Sequence, residues 1–550
     1  MRYGSRRDDP ADWGRGRTEP ARRGANRGRA AQRRGSRRGP ARAGRWARFR
    51  SKSLLAQLGY AVVSITAVMA VVAGVAGYAL YQQLEGNITA VKVNGLTGRT
   101  VYGQLNILVL GSQERQGQHG FFGHEINPWT TNSDNLLLVH LDPTHTHATV
   151  LSIPRDLMTY EPACQARNSR IGYGLQGPYQ STIIDGALNI GGPTCAVATV
   201  EDLTGIKLDH VIVFDFNSFR TMVDSIGGVT VCVPRGRGYH DGYSHLNLSP
   251  GLHKLTYNEA LAYVRTRHGV GSGADAGGDL PRIELQQAFI SSVAQQVQHQ
   301  GLLSNISGLY HVANIATKAL TVDQNLKSVS NLIHLARSLV NLKSKNINLI
   351  TLPTAPDANP GESGRLVALQ PEDDVLYQMI RTDKLWHGLL PAEPDSKVKV
   401  QVENGTGQSG LAGKTATALR RLGFDVTGIG DTTYTSTTTV NFAGEQQAQG
   451  AYAVMSALTK FPAGQNTLAE PASQLGTPGT ITLILGTDFA GVSAPVKAKP
   501  ASKTRKHSGS KPAGSQPASG GAGSVQSRNA GASICSGLPP AYAPGAQGPP

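Results

Sequence analysis

Arginines and aspartates recur at short spacings in a few stretches of a chain that is otherwise thin in charge. LSIPRDL sets Arg155 and Asp156 directly after an apolar run, and NSDN sets Asp134 just before another. YVRTRHGVGSGADAGGDLPRIELQQ, from Tyr263 to Gln287, carries Arg265 and Arg267 two apart, then a run of Gly, Ser and Ala, then Asp279, Arg282 and Gln286. Guanidinium groups are planar forks of N–H donors that match pairs of phosphate oxygens, which the point charge of lysine does not. Carboxylates among them suit a divalent cation bridging a diphosphate, or a base that takes a proton from a hydroxyl.

Local signals show which elements must hold these groups. Thr256-Tyr-Asn-Glu259 is a capping box, which starts a helix over 257–265 that runs out at Arg265. Pro281 suits the first turn of a second helix, with Asp279 near its N-cap and a course towards Gln298. On that helix Arg282 and Gln286 are four apart and share a face. Two helices therefore meet at a Gly-rich hinge over 269–278, with polar side chains aimed into the junction. NILVLG, NLLLVHL, ATVLSI, VIVFDF and VTVCV read as strands, the second and third as a hairpin, with helices at TCAVATVEDLTG and SFRTMVDSIGG between others. Strands alternating with amphipathic helices predict an α/β layered domain with a mixed central sheet. Residue 155 then lies at a strand end, where open α/β sheets bind ligands.

The net charge of +16 suggests a nucleic-acid partner until its distribution is examined. Residues 1–52 hold seventeen Arg and Lys52 against Asp8, Asp9, Asp12 and Glu19, so +14 of the excess lies there. Such a segment buries no core, and a disordered basic arm is expected. Leu58 to Tyr81 carries no charge over 24 residues, long enough as a helix to cross a bilayer. The arginine-rich flank predicts a cytoplasmic arm, a transmembrane anchor over 53–82, and everything beyond about residue 83 outside the membrane. That placement removes nucleic acid as a partner for the body of the chain and leaves lipid as the partner of the arm. A stalk over 83–102, a main domain over 103–388, a small α/β unit over 396–492 and a disordered Pro/Gly/Ser/Ala-rich tail over 493–550 complete the expected organisation.

Two other patterns are weaker. Gly405-Thr-Gly407-Gln-Ser-Gly410 follows a strand, precedes a helix and has Asp431 downstream, as in a dinucleotide fingerprint. Tight-turn glycines explain it in so small a unit. His145-Thr-His147 lies in a turn after Pro143 and is expected to be solvated rather than metal-bound. Of the four cysteines, Cys535 is expected to be the odd one, and pairing among Cys164, Cys195 and Cys232 stays open.

The motifs NILVLGS, NSDNLLLVHLDP, LSIPRDL, VEDLTGIKLDHVIVFDF, MVDSIGGVTV, LTYNEALAYVRTRH and GDLPRIELQQ, in that order, resemble the LytR-CpsA-Psr family of cell-wall glycopolymer ligases over residues 103–300. VENGTGQSGLAGKTATALRRLGFDV resembles the LytR C-terminal domain. The resemblance implies a layered α-β-α domain and a phosphotransferase. An undecaprenyl-pyrophosphate-linked glycopolymer would pass its phosphosugar end to a peptidoglycan hydroxyl, with Mg2+ as cofactor. It implies diphosphate binding by Arg155, Arg265, Arg267 and Arg282, a metal or base role for Asp134, and site positions for Asp279 and Gln286. Three positions depart from the family pattern: Gln113 replaces a metal-supporting Asp, Asn132 an Arg, and Leu285 another Arg. The rival expectations are a non-catalytic binder of polyprenyl pyrophosphate or peptidoglycan, and a transcriptional attenuator acting through residues 1–52.

Overall fold

Alternation along the apolar runs builds the central sheet, because successive side chains of a strand face opposite sides. The computed structural model describes residues 54–99, 103–112, 132–166, 174–270, 279–301, 306–357, 364–387, 390, 393–459, 477–493 and 525–539. The basic arm, Gln113 and most of the Gly-rich hinge (271–278) lie outside them. Helix α1 (Leu54–Asn87) is followed by β1 (Thr89–Val91), β2 (Leu105–Ser112), β3 (Ser133–Leu141) and β4 (Ala148–Ile153). Next come α2 (Pro193–Thr204), β5 (His210–Phe214), α3 (Phe216–Ser225), β6 (Val229–Val233) and β7 (Gly251–Leu255). Then α4 (Tyr257–Arg265), α5 (Asp279–His299), β8 (Thr321–Asp323), α6 (Val329–Ser338), β9 (Ile347–Thr351) and α7 (Glu372–Arg381) close the first half.

Within α1, Val62–Asn87 is long and apolar enough to cross a membrane, at a mean hydropathy of 2.1. The chain divides into two units inside this helix, between Ala76 and Gly77. The larger unit carries an eight-stranded sheet in the order β1-β8-β5-β2-β3-β4-β9, ending on β14 (Ser527–Asn529). β2, β3 and β4 run antiparallel, whereas β5 is parallel to β2 and β9 parallel to β4. Leu108, Leu110, Leu136, Leu138, Leu151 and Ile153 pack with Val197 and Val200 of α2 on one face. Leu105, Ile107 and Leu141 pack with Leu335 of α6 on the other. The result is the expected layered domain. β5 ends earlier than its apolar run suggests, because the Asp215 side chain accepts from Ser218 N and starts α3 at Phe216.

A second sheet holds β10 (Lys399–Asn404), β11 (Asp425–Asp431), β12 (Thr439–Asn441) and β13 (Ile481–Leu485) in the order β11-β10-β13-β12. Its helix α8 (Leu411–Leu422) starts at Gly410, whose φ of +79° is costly for a side-chain-bearing residue. That accounts for a glycine in the fingerprint-like run. The buried side chains of this unit join those around α2 and α7 in one continuous core.

Four expectations give way. The stalk is part of the fold: β1 pairs with β8, and Arg99 bonds the buried Asp209 at 2.7 Å. The tail re-enters the main domain, where β14 pairs antiparallel with β9. Cys535 is not odd, since Cys232 bonds Cys535 and Cys164 bonds Cys195. His145 is buried, with φ +53° and Nε2 2.9 Å from the Gly103 carbonyl, so its ring pins a turn instead of facing solvent.

Candidate functional site

The end of β4, the residues after α4 and the first turn of α5 converge on one set of ion pairs. The turn after β4 carries Arg155, whose Nη1 donates to Asp134 Oδ1 at 2.7 Å, from the start of β3. Its Nε lies 3.7 Å from Asp279 Oδ1 and 3.7 Å from Asp156 Oδ2. Arg282 Nη2 meets the same Asp279 oxygen at 2.5 Å, one helical turn along α5. Asp156 also faces Arg267 at 3.9 Å and Arg365 at 3.7 Å. Six of the residues singled out by type and spacing therefore share one network: Asp134, Arg155, Asp156, Arg267, Asp279 and Arg282.

The other two enter differently. Arg265 places its guanidinium over the Phe216 ring, 5.3 Å from the centroid. Gln286 is buried and donates from Nε2 to the Val264 carbonyl at 3.0 Å, which holds α5 against the end of α4. Beside it, Gln287 donates to Ser152 Oγ and Thr351 Oγ1, fixing α5 to β4 and β9.

Arg267 is held by its backbone. Asp241, buried in a hairpin, accepts from Arg267 N at 3.1 Å and His268 N at 3.2 Å through one oxygen. Its other oxygen accepts from Tyr243 N. Those bonds outweigh the effect of burial and hold its carboxyl below the usual range.

Sequence reasoning missed Asp185 and Arg365 and gave Asp156 no role of its own. Asp185 sits in a turn before α2 and accepts from Asn132 Nδ2 at 3.3 Å. Burial pushes its carboxyl up to about 6, against the pull of Arg155 and Asn132. Arg365 arrives because Leu366 N bonds the Asp156 carbonyl at 3.0 Å, a long-range pairing with no local signal.

The electrostatics set burial against close opposite charges. Burial raises the Asp279 carboxyl although Arg282 opposes it, and burial lowers the Arg282 guanidinium although Asp279 opposes that. Burial would lower Arg155 too, but Asp134, Asp156 and Asp279 together raise it. The Nε–H groups of Arg155, Arg267 and Arg282 are buried and have no hydrogen-bond acceptor, and neither Asp279 oxygen has an aligned donor. Leaving such groups unsatisfied costs about 1–3 kcal/mol each, more when charged.

Asp134 and Asp185 supply hard oxygens beside Asn132. Among the described residues no group of three or more His, Cys, Asp or Glu forms a metal cage. A single carboxylate such as Asp134 fits a magnesium ion that draws its remaining ligands from substrate phosphate and water, rather than one held by protein alone.

The LytR_cpsA_psr family profile matches residues 76–381, and a profile described as LytR cell envelope-related transcriptional attenuator matches residues 397–489. The chain is 26% identical over 447 residues to the cell wall biosynthesis protein LcpA of Corynebacterium glutamicum, covering 73% of this chain and 80% of that one. It is 27% identical to the polyisoprenyl-teichoic acid–peptidoglycan teichoic acid transferase TagV of Bacillus subtilis, covering 40% of this chain and 51% of that one. A LytR-Csp2A-Psr enzyme from Actinomyces oris is 24% identical, with a TM-score of 0.40, over 53% of this chain and 95% of that one. With its first profile match spanning more than half of its length, this chain belongs to the LytR-CpsA-Psr family.

Proposed function

We propose that the protein is a membrane-anchored phosphotransferase that moves a glycopolymer from a polyprenyl diphosphate carrier to peptidoglycan, on the outer face of the membrane. The observation that carries the reading is the trio of buried, acceptor-less Nε–H groups on Arg155, Arg267 and Arg282. A diphosphate ester offers the oxygens these donors lack. The names of LcpA and TagV support the substrate class, and the apolar α1 behind an arginine-rich arm supports the topology.

In this reading Arg155, Arg267 and Arg282 grip the diphosphate, with Arg265 at the end of α4 as a further donor. The acceptor hydroxyl attacks the phosphorus attached to the sugar. The bond from that phosphorus to the bridging oxygen breaks, and polyprenyl phosphate leaves. Asp185, with a carboxyl near 6, is poised to take the hydroxyl proton at neutral pH. Asp279 keeps Arg155 and Arg282 aimed at one point, so the donors need little reorganisation as charge develops. Asp134 would hold a magnesium ion, whose chemistry when bound would be further neutralisation of the phosphate oxygens, leaving Asp185 to act as the base.

The deciding experiment incubates the purified full-length protein with polyprenyl-diphosphate-linked N-acetylglucosamine and peptidoglycan fragments, with and without Mg2+. Release of polyprenyl phosphate together with a glycan–phosphate–peptidoglycan product is expected. Diphosphate binding with no covalent product under any condition would make the protein a binder instead.

A further inference from the structure

The C-terminal tail carries a role that its composition hides. After the second domain the chain returns to the main sheet, and residues 525–539 lie against its last strand and α5. Thr351 N donates to Gln526 O at 2.9 Å, and Ala530 N to Ile347 O at 2.8 Å, so the segment closes the sheet beyond β9. Gln295 of α5 donates to the carbonyls of Ala530 and Ala532, at 2.7 and 2.9 Å. Tyr239 Oη donates to Pro539 O at 2.6 Å, and Cys535 is bonded to Cys232 of β6 across 303 residues.

Arg528 lies at the centre of these contacts, with only 9% of its surface exposed. Its Nε donates to Ser291 Oγ of α5 at 3.2 Å, and its Nη2 to Ser533 O at 3.1 Å. Its Nη1 donates to the Ser536 and Gly537 carbonyls. One guanidinium therefore folds the segment onto itself and pins it to α5. The same charge acts electrostatically on Tyr263 and Glu284. Tyr263 is fully buried two positions before Arg265 on α4, and Glu284 stands two positions after Arg282 on α5. The segment thus reaches α5 through Gln295 and Ser291, and α4 through Tyr239, whose ring centroid lies 6.3 Å from that of Tyr263.

We propose that residues 525–539 are a positioning strap for the diphosphate site, with Arg528 as the residue through which the strap sets the spacing of α4 and α5. The proposal rests on the diphosphate reading above and deepens it. Arg528 is a positioning residue, since it bonds Ser291 of α5 and stands outside the ion-pair network around Arg155. A strap that only added stability would change the melting temperature and leave the affinity of the folded protein alone. A strap that sets helix spacing changes the affinity well below the melting temperature, because donors misplaced by about 1 Å lose much of their effect.

The test compares full-length protein in detergent micelles with Arg528→Ala, Arg528→Lys and the paired Cys232→Ser/Cys535→Ser variant. Measurements are inorganic pyrophosphate affinity by calorimetry, kcat and KM for transfer, and backbone hydrogen exchange, all well below the melting temperature. Arg528→Ala is expected to weaken pyrophosphate binding about tenfold, raise KM by a similar factor and speed exchange over 257–268 and 279–292. Arg528→Lys is expected to recover most of the affinity, and the serine pair to shift it in the same direction. Should Arg528→Ala not fold, the serine pair, which keeps every hydrogen bond of the strap, decides the matter. Exchange at wild-type rates in both helices, with wild-type pyrophosphate affinity, would overturn the strap. Wild-type protein that does not bind pyrophosphate at all would instead overturn the diphosphate reading, leaving exchange to judge the strap alone.

Discussion

Arg155→Ala tests the site most directly, because Arg155 faces three carboxylates at once and still has a buried Nε–H without an acceptor. With a diphosphate in place, the guanidinium can offer that Nε–H and one Nη–H to a pair of phosphate oxygens. Hydrogen bonds to charged groups contribute roughly 1.5–3 kcal/mol each, so two contribute about 3–6 kcal/mol. At about 1.4 kcal/mol per decade, kcat/KM should fall by about 10²–10⁴. Arg155→Lys keeps the charge but loses the fork, and should fall about 10–100-fold by the same arithmetic. The fold should survive, since Asp279 keeps Arg282 and both Asp134 and Asp156 reach solvent, at 25% and 14% side-chain exposure. A stability loss of about 1–2 kcal/mol is expected, within the ordinary range for one substitution. The assay follows polyprenyl phosphate release from polyprenyl-diphosphate-linked N-acetylglucosamine at sub-saturating concentration, with a parallel titration by inorganic pyrophosphate. An alanine variant within threefold of wild type in both measurements would refute convergence of these guanidiniums on one anion.

Asp241→Ala removes the carboxylate that bonds the backbone of Arg267, His268 and Tyr243, and should raise KM while lowering thermal stability, checked by steady-state kinetics and calorimetry. Glu372, at the first turn of α7, is 1% exposed and is pushed by burial from its ordinary value near 4.5 up to about 7. The folded protein therefore binds more protons than the unfolded chain between those values, so stability falls as pH rises from about 4.5 through 7 and levels off above. For this one group the fall is at most about 3 kcal/mol, and Glu372→Gln should flatten that part of a plot of melting temperature against pH. Chelation with EDTA should slow release of polyprenyl phosphate while pyrophosphate binding, followed by calorimetry, persists.

Arg155, Arg267, Asp279 and Arg282 were legible because each stands at a helix or strand terminus with a strong local signal. The capping box at Thr256 and Glu259 and the proline at 281 fixed the two helices that carry most of them. The β2, β3 and β4 strands were legible for a similar reason, since apolar side chains on both faces leave little choice of structure. Asp185 and Arg365 were not, because turns deliver them through pairings that span long stretches of chain. Burial, which makes Asp185 a candidate base, is a property of the assembled layers. Arg528 and Cys535 were hidden more thoroughly. A segment rich in Ser, Gly and Ala buries little apolar area of its own, and it is ordered here by hydrogen bonds to a sheet edge, a helix and its own arginine.

The position of β14 after the second domain also bears on how the protein is made. Ribosomes deliver the chain N-terminus first, so β9 waits for its outer neighbour while about 175 residues follow it. Throughout that interval β9 offers an open row of amides and carbonyls, the kind of edge that recruits other chains into aggregates. A message cut short before codon 525 would yield both domains with that edge bare, so premature termination should produce insoluble rather than merely slow protein.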